Sequence, residues 1–372
     1  MKRLKNLASI ITRPKPPVGM TPADVVHREN KWRLLRYRAE TPRKFKTPIL
    51  LVPSLINRHY VMDLLPGKSM AQDLVAKGHD VYVIDWGTPG PEDRFVTFDD
   101  VCDRYLGRAI RIVARSSLRE KVHVLGYCLG GTLATIHAAA RPEYIASLLL
   151  LAAPVSFSDD GPLAVWTQNP RFDVSAVVNG FGNVPWQLMQ GAFHMLRPTL
   201  TLAKAVGVID RAANDEFLDG FLALETWGND NVSFPGECFR QYIEQLYRGD
   251  FLMKDAFFLS GIPAKLSAIT CPVNCIVFEH DNIVPLESAA VLVERISSTD
   301  KTLLKLPGGH VGAVVSRSAQ KNLWPAMSAW WAERDGAPDI VEASVISCLA
   351  ARDNGAPPPD PRSPPKGASD RS

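Results

Sequence analysis

Three residues have the types, order and surroundings that covalent acyl chemistry needs: Cys128, Asp281 and His310. Cys128 is the centre of Gly126-Tyr127-Cys128-Leu129-Gly130, a Gly-x-nucleophile-x-Gly pentapeptide. A nucleophile on a sharp strand-to-helix turn is held in a strained backbone conformation, and small residues two before and two after it leave room for that turn. A helix starting behind Cys128 aims backbone N–H groups at the sulfur, where they stabilise a thiolate and can hold an oxyanion. The N–H of Leu129 is the first expected oxyanion donor. The thiol needs a base to take its proton, and the base needs an acid to fix its tautomer and orientation. His310, flanked by Gly309 and Val311-Gly312, suits the first role; Asp281, in Asp281-Asn282-Ile283-Val284-Pro285, suits the second.

Each role has competitors. Glu279 and His280 sit nearer the end of the preceding apolar run, and His123 and His137 fall inside a strand and a helix and read as structural. Asp85, in Asp85-Trp86-Gly87, lies at a carboxyl-terminal strand edge, where ligands bind in open α/β sheets, or is a structural acid that binds loop N–H groups. Cysteine in place of serine is itself informative. Transfer from an incoming thioester onto a thiol is nearly isoenergetic, so the acyl group stays activated for a second transfer to a hydroxyl. A serine would form an oxygen ester and lose that driving force. The choice suits a thioester-consuming acyltransferase and leaves a cysteine hydrolase open.

The elements that must position these residues follow from the apolar pattern. Residues 122–125 form a short apolar run that reads as a buried strand, and the Ala-rich stretch 132–140 reads as a helix. Further buried strands are expected at 48–53, 79–86, 146–152, 273–278 and 302–306, and a first short one at 31–37. Helices are expected at 69–77, 98–117, 286–297 and 318–333 between or after them. Near-continuous apolar strands separated by helices indicate a parallel sheet. The order nucleophile, acid, base, each after a strand, is that of the α/β-hydrolase triad, and parallel packing brings all three to one sheet edge. In that architecture the loop Ser54-Leu55-Ile56-Asn57-Arg58 supplies the second oxyanion N–H, expected at Ile56 or its neighbour Leu55. From 155 to 270 no clear apolar strand recurs, and the segment is rich in Trp, Phe, Leu, Pro and Asn with helical stretches at 191–195 and 239–247. An insertion of this kind reads as a cap that excludes water and binds apolar substrate; extra core helices are the alternative. The expected fold is therefore α/β, an α/β-hydrolase fold with a mostly parallel central sheet flanked by helices and a largely helical cap inserted after the nucleophile half. The expected division is a basic, Pro-rich segment 1–45, core 46–154, cap 155–270, core 271–335 and a disordered tail 336–372.

Composition narrows the function. The 372 residues are 46% hydrophobic and 22% charged, ordinary for a globular protein; a net charge of +3 is too small to argue for nucleic acid, and no basic patch interleaved with aromatics is evident. Six irregularly spaced cysteines without Cys-x-x-Cys point to reduced thiols, not disulfides or a metal site. The basic start is followed by too short an apolar piece for a secretory signal, and no apolar stretch is long enough to span a bilayer, so the reading is a cytoplasmic protein.

Taken together, Leu51-Val52-Pro53-Ser54-Leu55-Ile56-Asn57-Arg58, Val83-Ile84-Asp85-Trp86-Gly87, Gly126-Tyr127-Cys128-Leu129-Gly130-Gly131, Asp281-Asn282-Ile283-Val284-Pro285 and Pro307-Gly308-Gly309-His310-Val311-Gly312 resemble the polyhydroxyalkanoate synthases over residues 30–335. Gly182-Asn183-Val184-Pro185 and residues 235–247 fit the same pattern, and the short N-terminal region resembles the class III catalytic subunit. Leu129 stands where that class often has Gln, and the cap around Glu225-Thr226-Trp227-Gly228-Asn229-Asp230 departs from the class III pattern. The resemblance implies polymerisation of (R)-3-hydroxyacyl-CoA into polyester. Cys128 would carry the growing chain, and His310 would activate it. Asp281 would support His310 or help activate the 3-hydroxyl group. It implies no metal or redox cofactor, with coenzyme A as leaving group. It also implies a hydroxyacyl-CoA substrate, a polyester chain, a second synthase subunit or other oligomer, and association with polymer granules. The competing expectations are a thioesterase or polyester depolymerase on the same triad, and a non-catalytic granule protein that has kept the fold.

Overall fold

The computed structural model describes residues 2–10, 12–117, 119–195 and 200–335; the side chains of 162, 193, 194 and 200–203 are left aside. The tail expected at 336–372 lies outside the described residues. Ten strands occur among the described residues, in chain order β1 (Ala23–Glu29), β2 (Trp32–Tyr37), β3 (Ile49–Val52), β4 (Val81–Asp85), β5 (Val122–Tyr127), β6 (Ile145–Leu151), β7 (Phe258–Leu259), β8 (Ile262–Pro263), β9 (Val273–Phe278) and β10 (Lys301–Leu306). Eight of them form one sheet in the order β1-β2-β4-β3-β5-β6-β9-β10, while β7 and β8 make a small hairpin. Pairing is parallel from β4 through β10, and antiparallel between β1 and β2 and between β2 and β4. Strands β3, β4, β5 and β9 are buried along their whole length, which is why they read as near-continuous apolar runs.

Alternation along β5 divides its side chains between two cores. Val122 and Val124 join the layer packed by the helices at Gly107–Arg115 and Leu129–Ala140. Leu125 and Tyr127 join the opposite layer, closed by the helices at Met70–Ala76 and Trp324–Asp335, where Trp324, Trp330 and Trp331 are buried. Ser69 caps the first of these by accepting from Gln72 N–H.

The strand expected at 31–37 is β2, and β1 adds one more strand at the antiparallel edge of the sheet. The segment 155–270 divides in two. Helices at Pro162–Gln168, Val174–Phe181, Trp186–Met195, Leu200–Arg211 and Asp215–Asn229 form its strand-free first part. From Phe234 onward, however, Leu246, Leu252, Phe257, Leu259, Leu266 and Ile269 are buried in the same core as Leu133 and Ile136 of the helix behind Cys128. Ala164, Val174, Val178 and Val184 of the first part join that core as well, so the whole segment contributes to core packing.

Candidate active site

The turn between β5 and the Leu129–Ala140 helix places Cys128 at φ 55° and ψ −132°, a conformation that L-residues rarely adopt. The neighbouring glycines are compelled by contact. A Cβ on Gly126 would lie 2.4 Å from Gly131 Cα, and one on Gly130 would lie 2.1 Å from the Val52 carbonyl oxygen. Gly131 is equally constrained, since its Cβ would lie 2.3 Å from Ala153 Cβ. Cys128 N–H donates to Leu151 O (3.1 Å), and Cys128 O accepts from Gly131 N–H (2.8 Å), so the helix begins directly at Cys128. The first N–H groups of that helix, Leu129 included, have no intrahelical acceptor.

Asp281 and His310 sit in the loops after β9 and β10, at the same carboxyl edge of the sheet as Cys128. His310 Nδ1 donates to Asp281 Oδ2 at 2.8 Å. The other carboxylate oxygen of Asp281 accepts from Ile283 N–H and Val284 N–H, both at 2.9 Å, so its side chain is fixed from two directions and only 1% exposed. Tyr127 braces His310: its ring centroid lies 5.1 Å from that of His310 and its hydroxyl donates to His310 O at 3.3 Å. Burial opposes a charge on His310, but Cys128 and Asp281 together outweigh it and raise the imidazole pKa to about 10. The pair is thus poised as imidazolium beside the sulfur.

The competitors are accounted for by their surroundings. His123 bonds Ser147 Oγ at 2.7 Å and His137 bonds Cys102 O at 3.0 Å; both are buried, and burial lowers each to about 4. Glu279 and His280 are exposed, His280 at the cavity wall. Asp85 accepts from Gly87 N–H and Arg33 and faces His59 at 3.4 Å. Burial works against its charge, yet these partners hold its carboxyl well below the usual range, as a structural acid's would. Cys102 and Cys238 are pushed up by burial and Cys275 is pushed up to about 12, whereas Cys128 lines a cavity.

That cavity has a volume of about 810 Å³. Its floor holds Cys128 and His310, and its apolar wall includes Phe157, Phe239, Tyr242 and Ile243. Cap helices contribute Trp166, Leu188 and Trp227, with Lys204 and Arg211 also lining it. Ile56 borders the cavity beside Ser54 and Asn57, while Leu55 is packed in the core. Trp86 Nε1 donates to Pro53 O (3.0 Å) and fixes the start of that loop. The sequence did not reveal what Tyr127 and Gly131 touch, or that the cap strap at 227–232 binds the Ile56 loop. Among the described residues no cluster of His, Cys, Asp and Glu is arranged for a metal, and no helix is long and apolar enough to cross a membrane.

Strand order, the strained turn and the placement of the three residues define a protein of the α/β-hydrolase class. The family profile described as "alpha/beta hydrolase fold" matches residues 47–315, and a solved thermophilic esterase from Thermogutta terrifontis shares the fold with a TM-score of 0.50 at 16% identity, over 84% of this chain and 98% of that one. A second profile, "Poly-beta-hydroxybutyrate polymerase (PhaC) N-terminus", matches residues 16–74. The poly(3-hydroxyalkanoate) polymerase subunit PhaC of Allochromatium vinosum is 36% identical over 90% of this chain and 93% of its own length. That of Haloferax mediterranei is 36% identical over 85% of this chain, which spans 65% of that relative. The chain belongs to the poly(3-hydroxyalkanoate) polymerase family.

Proposed function

We propose that the chain polymerises (R)-3-hydroxyacyl-CoA thioesters into polyester through an acyl-Cys128 intermediate. The observation that carries this reading is a cysteine at the strained turn, beside a His310 that is held by Asp281 and raised by the sulfur it faces. The Cys128 thiolate attacks the thioester carbonyl, and the oxyanion is met by the N–H groups of Leu129 and Ile56. Collapse expels the coenzyme A thiolate, which takes the proton from imidazolium His310. Neutral His310 then accepts the proton of the 3-hydroxyl group of a second hydroxyacyl thioester, and that oxygen attacks acyl-Cys128. An ester forms, the Cys128 thiolate is released, and the lengthened thioester acylates it again with loss of a further coenzyme A. Asp281 orients His310 throughout, or assists the 3-hydroxyl. The cycle as written uses no metal or redox cofactor. The apolar cavity wall favours acyl chains and keeps water from the acyl-cysteine, which supports transfer over hydrolysis. A second synthase subunit and the surface of a cytoplasmic polymer granule complete the proposed setting.

The test is product analysis with 3-hydroxybutyryl-CoA, with and without a candidate partner subunit. Polymer plus free coenzyme A is expected, with an acyl adduct on Cys128 by mass spectrometry. Free hydroxybutyrate as the sole product, or an adduct on another cysteine, overturns the reading.

A further inference from the structure

Cap and core meet in a group of polar contacts that link two stretches about 170 residues apart. One stretch is the loop after β3, from Ile56 to Tyr60; the other is the strap that leaves the Asp215–Asn229 helix, 227–232. Asn57 Nδ2 donates to Asn231 Oδ1 at 2.7 Å, and Asn231 Nδ2 donates back to Gly228 O at 2.8 Å. Arg58 pairs with Asp230 (Nε–Oδ1 3.1 Å) and reaches Thr88 Oγ1 at 3.0 Å. Tyr60 OH donates to the second Asp230 oxygen at 2.7 Å, and Trp227 Nε1 donates to Arg58 O at 2.9 Å. Val232 N–H approaches Ile56 O at 3.5 Å. The loop is therefore held at its start by the core, through Trp86 and Pro53, and at its end by the cap. Ile56 lies between the two anchors and borders the cavity that holds Cys128.

We propose that Asn57, Arg58 and Tyr60, with Trp227, Asp230 and Asn231, are positioning residues that set the loop carrying the Ile56 donor. Cys128 then accepts an acyl group at full rate only while the strap is docked. The inference rests on the acyl-transfer reading above and adds to it that the cap assembles part of the oxyanion site as well as covering the cavity. An oxyanion donor is useful only within a few tenths of an ångström of its position, and loss of one costs about 10²–10³-fold in rate. A strap that loosens without unfolding should sacrifice part of that.

Two reactions of the same sulfur separate this role from general damage. Acylation by a thioester passes through a tetrahedral oxyanion; alkylation by iodoacetamide displaces iodide and forms none. In Asp230→Ala and Asn231→Ala, single-turnover acylation of Cys128 at saturating 3-hydroxybutyryl-CoA should slow by about 10- to 100-fold, with alkylation changed less than about twofold. Tyr60→Phe deletes one hydrogen bond, keeps the ring, and should show the same selective loss to a smaller degree, which keeps the test sound if Asp230→Ala fails to fold. Unchanged acylation in the folded variants, or acylation and alkylation falling in proportion, overturns the coupling alone. Absence of any acyl adduct on Cys128 in the unaltered protein overturns the acyl-transfer reading as well.

Discussion

His310 is bonded to Asp281 at Nδ1 and raised by both Asp281 and Cys128 against the effect of burial. Removing the ring should therefore do two separable things. His310→Ala should lower acyl transfer by about 10²–10⁴-fold, the usual range for a positioned acid–base group. It should also slow iodoacetamide alkylation of Cys128 at pH 7, because the cation that favours the thiolate is gone. Asp281→Asn should slow turnover while leaving more of the alkylation rate than His310→Ala does; equal alkylation in wild type and His310→Ala would remove His310 from the role of base. The three candidate residues that meet at one sheet edge were legible because each lies in a loop or turn just after an apolar run. Tyr127 was not, although it buttresses His310 through both ring and hydroxyl. It fills a variable position of the pentapeptide, and nothing local says which way that side chain points. The Asn57–Asn231 and Tyr60–Asp230 contacts were hidden for a related reason: they pair residues distant in sequence, and pairings of that kind leave no periodic signal.

Among the elements, the strand–turn–helix at Cys128 is the most tightly specified. Gly130→Ala would drive a Cβ into the Val52 and Pro53 carbonyls, so it should destabilise the fold by about 1–3 kcal/mol or more and abolish acylation together. Gly180→Ala is the matched control. Gly180 lies exposed in the Val174–Phe181 helix with open space where its Cβ would go, and alanine there should be neutral or stabilise by up to about 1 kcal/mol. Urea unfolding of the two variants reads the difference; similar stabilities would show that the turn is not crowded. In the cap, Leu188 lines the cavity and is 38% exposed, so Leu188→Gln should admit water and raise the ratio of free acid to polymer with Cys128 acylation little changed. A constant ratio would mean that this helix does not guard the acyl-cysteine. The legibility of elements follows the same physics. Strands β3, β5 and β9 are buried on both faces and read as near-continuous apolar runs within a residue or two of their observed ends. Strand β1, Ala-Asp-Val-Val-His-Arg-Glu, lies at the sheet edge, largely exposed, and has no such run to read. Within 155–270 the sequence left cap and extra core helices as alternatives, because burial against the helix behind Cys128 and burial against a cavity draw on the same apolar residues.

For the molecule as a whole, the histidines set opposite limits on pH. His79 bonds Ser328 Oγ at 2.8 Å, His123 bonds Ser147 Oγ, and Trp331 packs against both rings, all in the core layer behind the sheet. His137 is buried on the other side against Cys102 O. Burial keeps all three neutral, lowering His79 to about 3 and His123 and His137 to about 4. In the unfolded chain each titrates near 6.5. Between pH 6.5 and about 4 the unfolded state therefore binds protons that the folded state refuses, and stability falls as pH falls, by about 1.4 kcal/mol per pH unit for each ring. His310 has the opposite sign. With its folded pKa raised to about 10, its contribution is complete below 6.5 and is lost as pH rises toward 10, so it adds no slope on the acid side. Three rings acting together give a slope of about 4 kcal/mol per pH unit, enough to consume a typical domain stability of about 5–15 kcal/mol within a few units. Urea unfolding from pH 7 to pH 5 should show that fall. His123→Gln and His79→Gln, which cannot titrate, should each flatten the slope by about 1.4 kcal/mol per pH unit whatever they cost in absolute stability. The comparison is of slopes, so a packing defect shifts the line without changing its gradient. A slope unaltered by both substitutions would mean that these rings accept protons in the folded core, and that acid sensitivity arises from the carboxylate pairs at the surface.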